Sequence, residues 1–561
     1  MSDKKILFDS ISRMPPMAVS LASMDWNKTG SWRYLRPMYQ YKTAPCIPAC
    51  PAGEKVPRYL RELVKEEPNN AWATIIKDNP FPSVCGRVCR YPCEAACNRR
   101  RFDSSISIRA LERYIGDYGR THGKFEPVIL DRKKKVAVVG SGLAGLTCAF
   151  NLRLQGYRVD VFEAMDRPGG AVRYRIPSFR LPEDVLDDEI DLIRRIGVNI
   201  STGVRIGKDK EFEELLAYDA VFISTGAREE RSPGIEGEDL EGVHTSGAFL
   251  LRVKENQKPN VGPTVAVLGS DEAAIDSART LLRLGKKATV LSERSKSEMV
   301  AAPFELEDAL GEGVELKQMT RVTRVLGEDG RVNRIEYVDV TPGKPDASGR
   351  RKLIAVEGSG KGLEVTGVIS STGAVPVYDF LPESMWGDGG EIIVDDNGRT
   401  SIEKVFMGGD SLPVASRTVI DAIGSGKGAA VVIGAYLQEK PLTVAKSKRE
   451  IVHYETLNHL YFRKAERPLR KITGHDKAVD SFEECELGMD EKTAREEAER
   501  CMSCGVCTEC DNCLVFCPDV AISKLKKGYR INYDYCKGCG ICVHECPRNC
   551  MSLVEELKWK K

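Results

Sequence analysis

Lys135-Val-Ala-Val-Val-Gly140-Ser-Gly142-Leu-Ala-Gly145 decides the fold of this chain. An apolar strand pattern runs into G-x-G-x-x-G, and an apolar helix pattern follows to Leu154. A second strand pattern, Tyr157 to Glu163, ends in a carboxylate about 20 residues on, where a dinucleotide-binding βαβ unit keeps the acid that accepts ribose hydroxyls. Glycines at the turn admit a pyrophosphate, and the helix N-terminus offers it a favourable dipole.

The same pattern returns downstream. Thr264-Val-Ala-Val-Leu-Gly269-Ser270-Asp271-Glu272-Ala273-Ala274 leads into a helix pattern to Leu284 and a strand pattern from Lys287 to Ser292. An exit strand also recurs: Asp219-Ala-Val-Phe-Ile-Ser-Thr-Gly226-Ala227 is echoed by Thr366-Gly-Val-Ile-Ser-Ser-Thr-Gly373-Ala374. Such duplication predicts an α/β core with two interleaved Rossmann-like units.

With 561 residues the chain exceeds the span one hydrophobic core usually serves, about 250–300 residues, so several domains are expected. A formal charge of +1 leaves no footprint for nucleic acid or an anionic membrane. Met1-Ser-Asp-Lys-Lys-Ile-Leu-Phe lacks a signal-peptide h-region, and no uninterrupted apolar stretch approaches the ~18 residues of a membrane span. Nineteen cysteines without an export signal read as metal ligands in a reducing cytoplasm.

The tail concentrates them. Cys507-Thr-Glu-Cys510-Asp-Asn-Cys513-Leu-Val-Phe-Cys517-Pro518 and Cys536-Lys-Gly-Cys539-Gly-Ile-Cys542-Val-His-Glu-Cys546-Pro547 are two runs of C-x2-C-x2-C-x3-C-P. That is the spacing of a two-cluster bacterial ferredoxin, in which each fourth cysteine serves the other cluster. Cys507, Cys510, Cys513 and Cys546 are thus expected on one 4Fe–4S cluster, and Cys536, Cys539, Cys542 and Cys517 on the other. Structural zinc favours paired C-x2-C units rather than triple runs, and disulfides call for a secretory context. Cys148 reads as a core residue, whereas Cys485 and Cys550 have no assigned role.

The head holds six more, Cys46, Cys50, Cys85, Cys89, Cys93 and Cys97, around two amphipathic helix patterns, Val56 to Glu66 and Asn70 to Lys77. Repeated C-x3-C spacing is not finger-like, although zinc stays open here. The first forty or so residues, with Met14, Pro15, Pro16, Trp26, Trp32 and Tyr34, show no clean period and are expected to drape over another surface. Histidines 453, 459 and 475 lie in a charged connector without a core pattern and read as surface residues, and Asp490 is an N-cap candidate.

With Cys50-Pro51, Gly86-Arg-Val-Cys89, Cys93-Glu94 and Cys97 in view, the chain resembles the small subunit of glutamate synthase and related NAD(P)H oxidoreductases, to near residue 440. The resemblance implies a helical head with two 4Fe–4S clusters, and FAD on the first loop at Gly140, Gly142, Gly145 and Glu163. It extends to Arg167-Pro-Gly169-Gly170-Ala-Val-Arg173 through Arg180 to Pro182, a flavin-contacting segment, and to Gly226. Val405-Phe-Met-Gly408-Gly409-Asp410 matches the second FAD motif, with Thr418 opening a helix beneath the flavin. NAD(P) falls to Gly269, Ser270, Asp271, Glu272, Ala273, Glu293, Arg294 and Gly373. The C-x4-C disulfide of reductases with this fold is absent, so electrons leave elsewhere.

Three departures matter. Asp271 stands where a close-approach glycine is expected, and a carboxylate facing a pyrophosphate is adverse unless it points away. Glu293 stands where NADP-using relatives have the first of two arginines, leaving Arg294; a carboxylate there favours a free 2′-hydroxyl, hence NAD over NADP. The family's R-C-x2-C-G pair is missing before Cys46 and occurs as Arg500-Cys501-Met-Ser-Cys504-Gly505. Counting then sets Cys46, Cys97, Cys501 and Cys504 on one head cluster and Cys50, Cys85, Cys89 and Cys93 on the other, with Cys501 and Cys504 as unligated core thiols the competing reading.

The expected layout is an N-terminal extension (1–45), a helical 4Fe–4S domain (46–132), FAD-binding parts at 133–255 and 373–440 around an NAD(P)-binding domain (256–372), a connector (441–500) and an α+β ferredoxin-like domain (501–561). The expected function is an electron-transfer subunit: hydride exchange between nicotinamide and FAD, and single electrons through four 4Fe–4S clusters to or from a larger catalytic subunit. Cys513-Leu-Val-Phe-Cys517-Pro-Asp519 looks like ferredoxin subunits of 2-oxoacid:acceptor oxidoreductases, which makes such an enzyme one candidate partner and a glutamate synthase large subunit the next. The alternative is a non-catalytic relay whose nicotinamide site is degenerate.

Overall fold

A computed structural model describes residues 28–345, 351–412, 418–441 and 449–556. The chain divides into two compact units, one made of Cys46–Ser447 with Ala465–Cys501, the other of Met1–Pro45, Lys448–Lys464 and Met502–Lys561.

In the larger unit the duplicated motif becomes two five-stranded sheets. The first runs Val405–Met407, Ala220–Ile223, Lys135–Val139, Arg158–Phe162, Asn199–Ser201; the second runs Val243–Thr245, Gly367–Ser370, Thr264–Leu268, Lys287–Ser292, Glu315–Gln318. Every neighbouring pair is parallel. In each sheet the glycine-loop strand takes the centre, between the strand that ends in the acid and the exit strand. Val136, Ala137 and Val138, like Val265, Ala266 and Val267, are fully buried, as parallel strands covered on both faces must be. The second sheet is laid down in one stretch of chain, opening with Val243–Thr245 before its glycine loop, whereas Val405–Met407 returns to the first sheet after the second is complete.

Helix Leu143–Leu154 is buried on nearly all sides, and helix Val419–Leu437 packs on it. The two approach so closely that a Cβ on Gly426 would lie 2.1 Å from the Ala144 carbonyl oxygen. Val419–Leu437 is long and apolar enough to cross a membrane by length and composition. It carries Asp421 and Lys427, and Lys427 Nζ reaches Asp78 at 2.6 Å.

The head is built from helices Val56–Val64, Pro68–Ile76, Pro82–Val88 and Ile108–His122. Three begin with proline in the first turn, where the missing N–H costs nothing. Glu189, on helix Glu183–Arg195 of the flavin half, accepts the N–H groups of Ser83 at 2.6 Å and Val84 at 3.2 Å, capping the helix that carries Cys85. Arg180 ties the flavin half to the nicotinamide half through Asp276 and Glu305, each at 2.6 Å. Helix Glu491–Glu499, capped by Asp490, lies on Val56–Val64 and Ile108–His122. Arg500 follows it and pairs with Glu497 at 2.7 Å and Asp103 at 3.2 Å. Burial works against ionising Asp103, but Arg99 and two backbone N–H groups hold it down at about 2.

In the smaller unit, Ile522–Lys524 and Tyr529–Ile531 form a hairpin, and Met551–Glu555 pairs antiparallel with Leu35–Tyr39. Of the N-terminal residues expected to drape over another surface, Leu35–Tyr39 forms one strand of this two-stranded sheet, while Trp32 and Tyr34 are exposed. Thr43 bridges to Ile451 beside it. Met14, Pro15, Pro16 and Trp26 lie outside the described residues.

Two outcomes follow for the larger unit. Glu189→Ala leaves two helix N–H groups unsatisfied at a cost of about 1–3 kcal/mol, so amide exchange at Ser83 and Val84 rises ~10-fold or more, with Glu189→Gln milder. The share of stability held by Asp103 is present above the ordinary carboxylate pKa and is lost as the pH falls towards 2, so Asp103→Asn flattens the acid limb of the unfolding profile.

Candidate functional site

The first glycine loop has the geometry a pyrophosphate needs. Gly140 turns at φ +97°, and a Cβ on Gly145 would sit 2.1 Å from the Gly140 carbonyl oxygen, so the helix can seat on the strand end only without one. A Cβ on Gly142 would meet nothing within 4 Å, which leaves open space above the helix N-terminus. Gly226 faces similar space. Gly170 and Gly409 close on the same turn, their hypothetical Cβ atoms 2.9 Å from Gly142 Cα and 2.8 Å from Ala144 Cβ.

Glu163 ends its strand buried, accepting Ser141 N at 2.9 Å, Ser141 Oγ at 2.5 Å and Met165 N at 2.9 Å. A carboxylate has about four acceptor sites, so capacity for a ribose hydroxyl remains. Asp410 follows Gly409 in a short 3-10 turn, and Thr418 caps Val419–Leu437. Gly140, Gly142, Gly145, Glu163, Gly170, Gly226 and Gly409 thus gather at one strand end, and this cradle fits FAD. Two arginines of the flavin-contacting segment turn elsewhere. Arg173 pairs with Asp187 and donates to Pro168 O, and Arg180 is buried against Asp276 and Glu305.

The second loop differs in its charge. Gly269 makes the turn at φ +151°, but Asp271 points into the helix that follows: its carboxylate accepts Ala274 N at 3.0 Å and Ser371 Oγ at 2.7 Å. Burial raises its pKa. Asp271 therefore holds a helix N–H that a pyrophosphate would otherwise take. Glu272 is gripped by Arg90 of the head, Ser270 O accepts Val300 N and Ala301 N, and Ala273 O accepts Ser277 Oγ. At the next strand end Glu293 is held by both prongs of Arg321 at 2.9 Å, while Arg294 reaches the Glu298 carbonyl at 3.4 Å. Gly373, at φ +82°, accepts Arg231 N on the exit strand. The turn fits a dinucleotide; its charges oppose one.

None of the nineteen cysteines, all of them among the described residues, forms a disulfide. In the head Cys85, Cys89 and Cys93 are buried with Cys50, and burial pushes all four thiols up; Cys89 also feels Cys50, and Cys93 feels Cys89 and Cys50. A bound cation is what would deprotonate such thiols. Beside them Asn79 Nδ2 donates at 2.9 Å to both Glu54 and Glu112, a buried acid pair, and burial lifts Glu54 to about 7. Cys46, Cys97 and Cys501 belong to the larger unit and Cys504 to the smaller.

In the tail one small pocket is lined by Cys507, Cys510, Cys513 and Cys546, together with Tyr39, Tyr529 and Cys550. Those are the four cysteines the spacing groups. The other four, Cys517, Cys536, Cys539 and Cys542, act on one another electrostatically, and burial lifts Cys542 to about 12. Among the described residues no three His, Cys, Asp or Glu groups gather as tightly as one metal ion requires.

Sequence reasoning missed four contributors. Tyr39 hydrogen-bonds Cys513 Sγ at 3.1 Å, and Cys550 N–H donates to Cys546 Sγ at 3.3 Å. Arg321 and Ser371 occupy the two acids of the second loop. No local motif announces any of them, since their partners are distant in the chain. Cys148 is a core thiol, and Cys485 accepts from Arg283 at 3.1 Å.

Two glycine loops on matched parallel sheets, with cysteine sets in head and tail, define a flavin and nicotinamide iron–sulfur oxidoreductase. Comparison with known proteins makes this specific. Residues 134–426 match the pyridine nucleotide-disulphide oxidoreductase family, 37–124 the 4Fe-4S domain II of dihydropyrimidine dehydrogenase, and 529–552 the 4Fe-4S binding domain. The chain belongs to the glutamate synthase small-subunit-like branch of that oxidoreductase family, with a ferredoxin domain at its C-terminal side. It is 36% identical over 508 residues to the NADPH-Fe(3+) oxidoreductase subunit beta of Geobacter sulfurreducens, covering 82% of this chain and 75% of that one. It is 34% identical to the NADP(+)-dependent formate dehydrogenase subunit beta of Moorella thermoacetica, covering 83% and 71%. Against the glutamate synthase [NADPH] small chain of Escherichia coli it is 30% identical, covering 70% and 88%. The structure of Mycobacterium tuberculosis FprA in complex with NADPH matches at TM-score 0.49 and 18% identity, covering 55% of this chain and 85% of that one.

The first loop is tested by a pair of variants. Gly142→Ala meets open space in the protein but intrudes where a pyrophosphate lies, so it folds normally and raises the FAD dissociation constant about tenfold or more. Gly145→Ala collides with backbone and loses both stability and flavin. Circular dichroism and released flavin separate the two.

Proposed function

We propose that the chain is the nicotinamide-reactive electron-transfer subunit of a larger redox complex, exchanging a hydride with nicotinamide at FAD on the first loop and carrying single electrons through four 4Fe–4S clusters to or from its partner. The observation that carries it is the tail pocket lined by Cys507, Cys510, Cys513 and Cys546, in a chain that also holds a flavin cradle. The chemistry a bound FAD supplies is conversion between the two electrons of a hydride and the single electrons of clusters. The chain's residues bind and orient. Helix Leu143–Leu154 and Gly142 receive the pyrophosphate, Glu163 the ribose, and Gly409 with Asp410 the flavin's other end. Gly269, Ser270 and Ala273 receive the nicotinamide dinucleotide. No protein acid or base is needed, and the thiols set cluster positions.

The head sets are Cys50, Cys85, Cys89 and Cys93, and, from counting along the sequence, Cys46, Cys97, Cys501 and Cys504. About sixteen irons per chain are then required; a plateau near twelve in fully loaded protein would sink the last set. We propose the domain limits given by the sequence and, from nineteen cysteines read chiefly as metal ligands, a reducing cytoplasm.

We prefer NAD(H), because Glu293 favours a free 2′-hydroxyl over a phosphate. Titration calorimetry decides: tighter NADH supports the preference, while tighter NADPH, the nucleotide in the relatives' names, overturns it and gives the role to Arg294 and Arg321. Asp271→Asn keeps the helix cap without the charge and is expected to tighten either nucleotide about tenfold.

For the partner we propose a larger catalytic subunit of the 2-oxoacid:acceptor oxidoreductase type, with a glutamate synthase large subunit second. Relatives named as a subunit beta or a small chain support the subunit role. Co-purification from the native host identifies it. Asp271 on its own helix favours one rival, a relay with a dead nicotinamide site. Anaerobic NADH or NADPH bleaches flavin absorbance near ~450 nm if the first reading holds; in a relay the flavin stays oxidised with both.

A further inference from the structure

We propose that Tyr39 and Cys550 set the tail cluster of Cys507, Cys510, Cys513 and Cys546 at a higher potential than its neighbour, so that an electron in the tail rests there. This rests on the cluster reading of the tail, and it concerns two residues that no ligand motif contains.

Both residues line that cluster's pocket. Tyr39 ends the strand Leu35–Tyr39, whose pairing with Met551–Glu555 fixes its backbone, and its ring stacks on Tyr529 with centroids 6.0 Å apart. Its hydroxyl lies 3.1 Å from Cys513 Sγ. A ligating sulfur carries no proton, so the hydroxyl must donate. At another ligand of the set, Cys550 is buried at 3% exposure, gives its N–H to Cys546 Sγ at 3.3 Å, and turns its thiol to the same sulfur. Two ligands of one cluster thus each receive a side-chain donor.

Reduction adds negative charge to a cluster and its thiolates. A donor aimed at a ligand sulfur stabilises the reduced state more than the oxidised one and raises the potential. The companion set takes the Ala521 N–H on Cys517 at 3.3 Å. A cation of that set, Arg33, lies beside Cys536 but is paired with both oxygens of Glu556, at 2.7 and 2.8 Å. Arg548 lines the pocket of the first set, and the hydroxyl and the thiol add two side-chain donors to it.

Potentiometric titration followed by electron paramagnetic resonance, on the full chain, reads the effect. Tyr39→Phe keeps the stacking and the strand pairing while removing the donor. One cluster midpoint is expected to fall by a tenfold change in its reduction constant, ~59 mV for one electron, with the other midpoints unmoved. Cys550→Ala should lower the same midpoint, and Cys550→Ser should lower it less. Should Tyr39→Phe lose its cluster, the Cys550 pair decides alone. Unchanged midpoints, or all midpoints shifted together, would overturn the proposal. Iron and sulfide content separates this from the parent reading: wild-type content with no selective shift ends the inference alone, whereas wild-type protein that holds no tail clusters ends the reading beneath it.

Discussion

The flavin sheet is completed by a strand from beyond the nicotinamide half, and the larger unit depends on that return. Val405–Met407 must come back to the flavin sheet after all five strands of the nicotinamide sheet, from Val243–Thr245 to Gly367–Ser370, have been laid down in one stretch of chain. The first glycine loop is therefore held in a sheet whose closing strand lies beyond the whole second sheet. The ion pairs of Arg180 with Asp276 and Glu305 then fasten the halves side by side, deep enough that burial works against ionising Asp276.

The same economy governs the iron–sulfur head. Its helices are short, and several take their caps from outside. Glu189 closes the helix bearing Cys85, and Arg500, held by Glu497 and Asp103, brings Cys501 into the larger unit. Thiols raised by burial are poor ligands until a cation arrives, so a rigid frame that prepays their ordering favours loading.

What was legible in the sequence follows from range. The loops at Gly140 and Gly269 are local signals, since strand, turn glycines, helix and acid lie within one βαβ unit, and the C-x2-C-x2-C-x3-C-P runs group their cysteines by spacing alone. The fifth strands were not legible, because three residues such as Val405-Phe-Met carry no periodicity. Nor was Tyr39, whose partner Cys513 is remote in the chain. The two acids flagged as adverse were read correctly as unusual, but their tethers were invisible: Ser371 and Arg321 reach Asp271 and Glu293 from other strands and turns.

The pairing of Leu35–Tyr39 with Met551–Glu555 also sets a clock on biosynthesis. The first of these strands emerges from the ribosome about 500 residues before its partner, roughly half a minute or more at ~5–20 residues/s. During that interval the larger unit's loops can close, while the tail's sheet waits with an unpaired edge. Iron–sulfur delivery to the tail is thereby a late event, coming after the last strand is made, and the exposed early strand is the segment a chaperone has reason to shield.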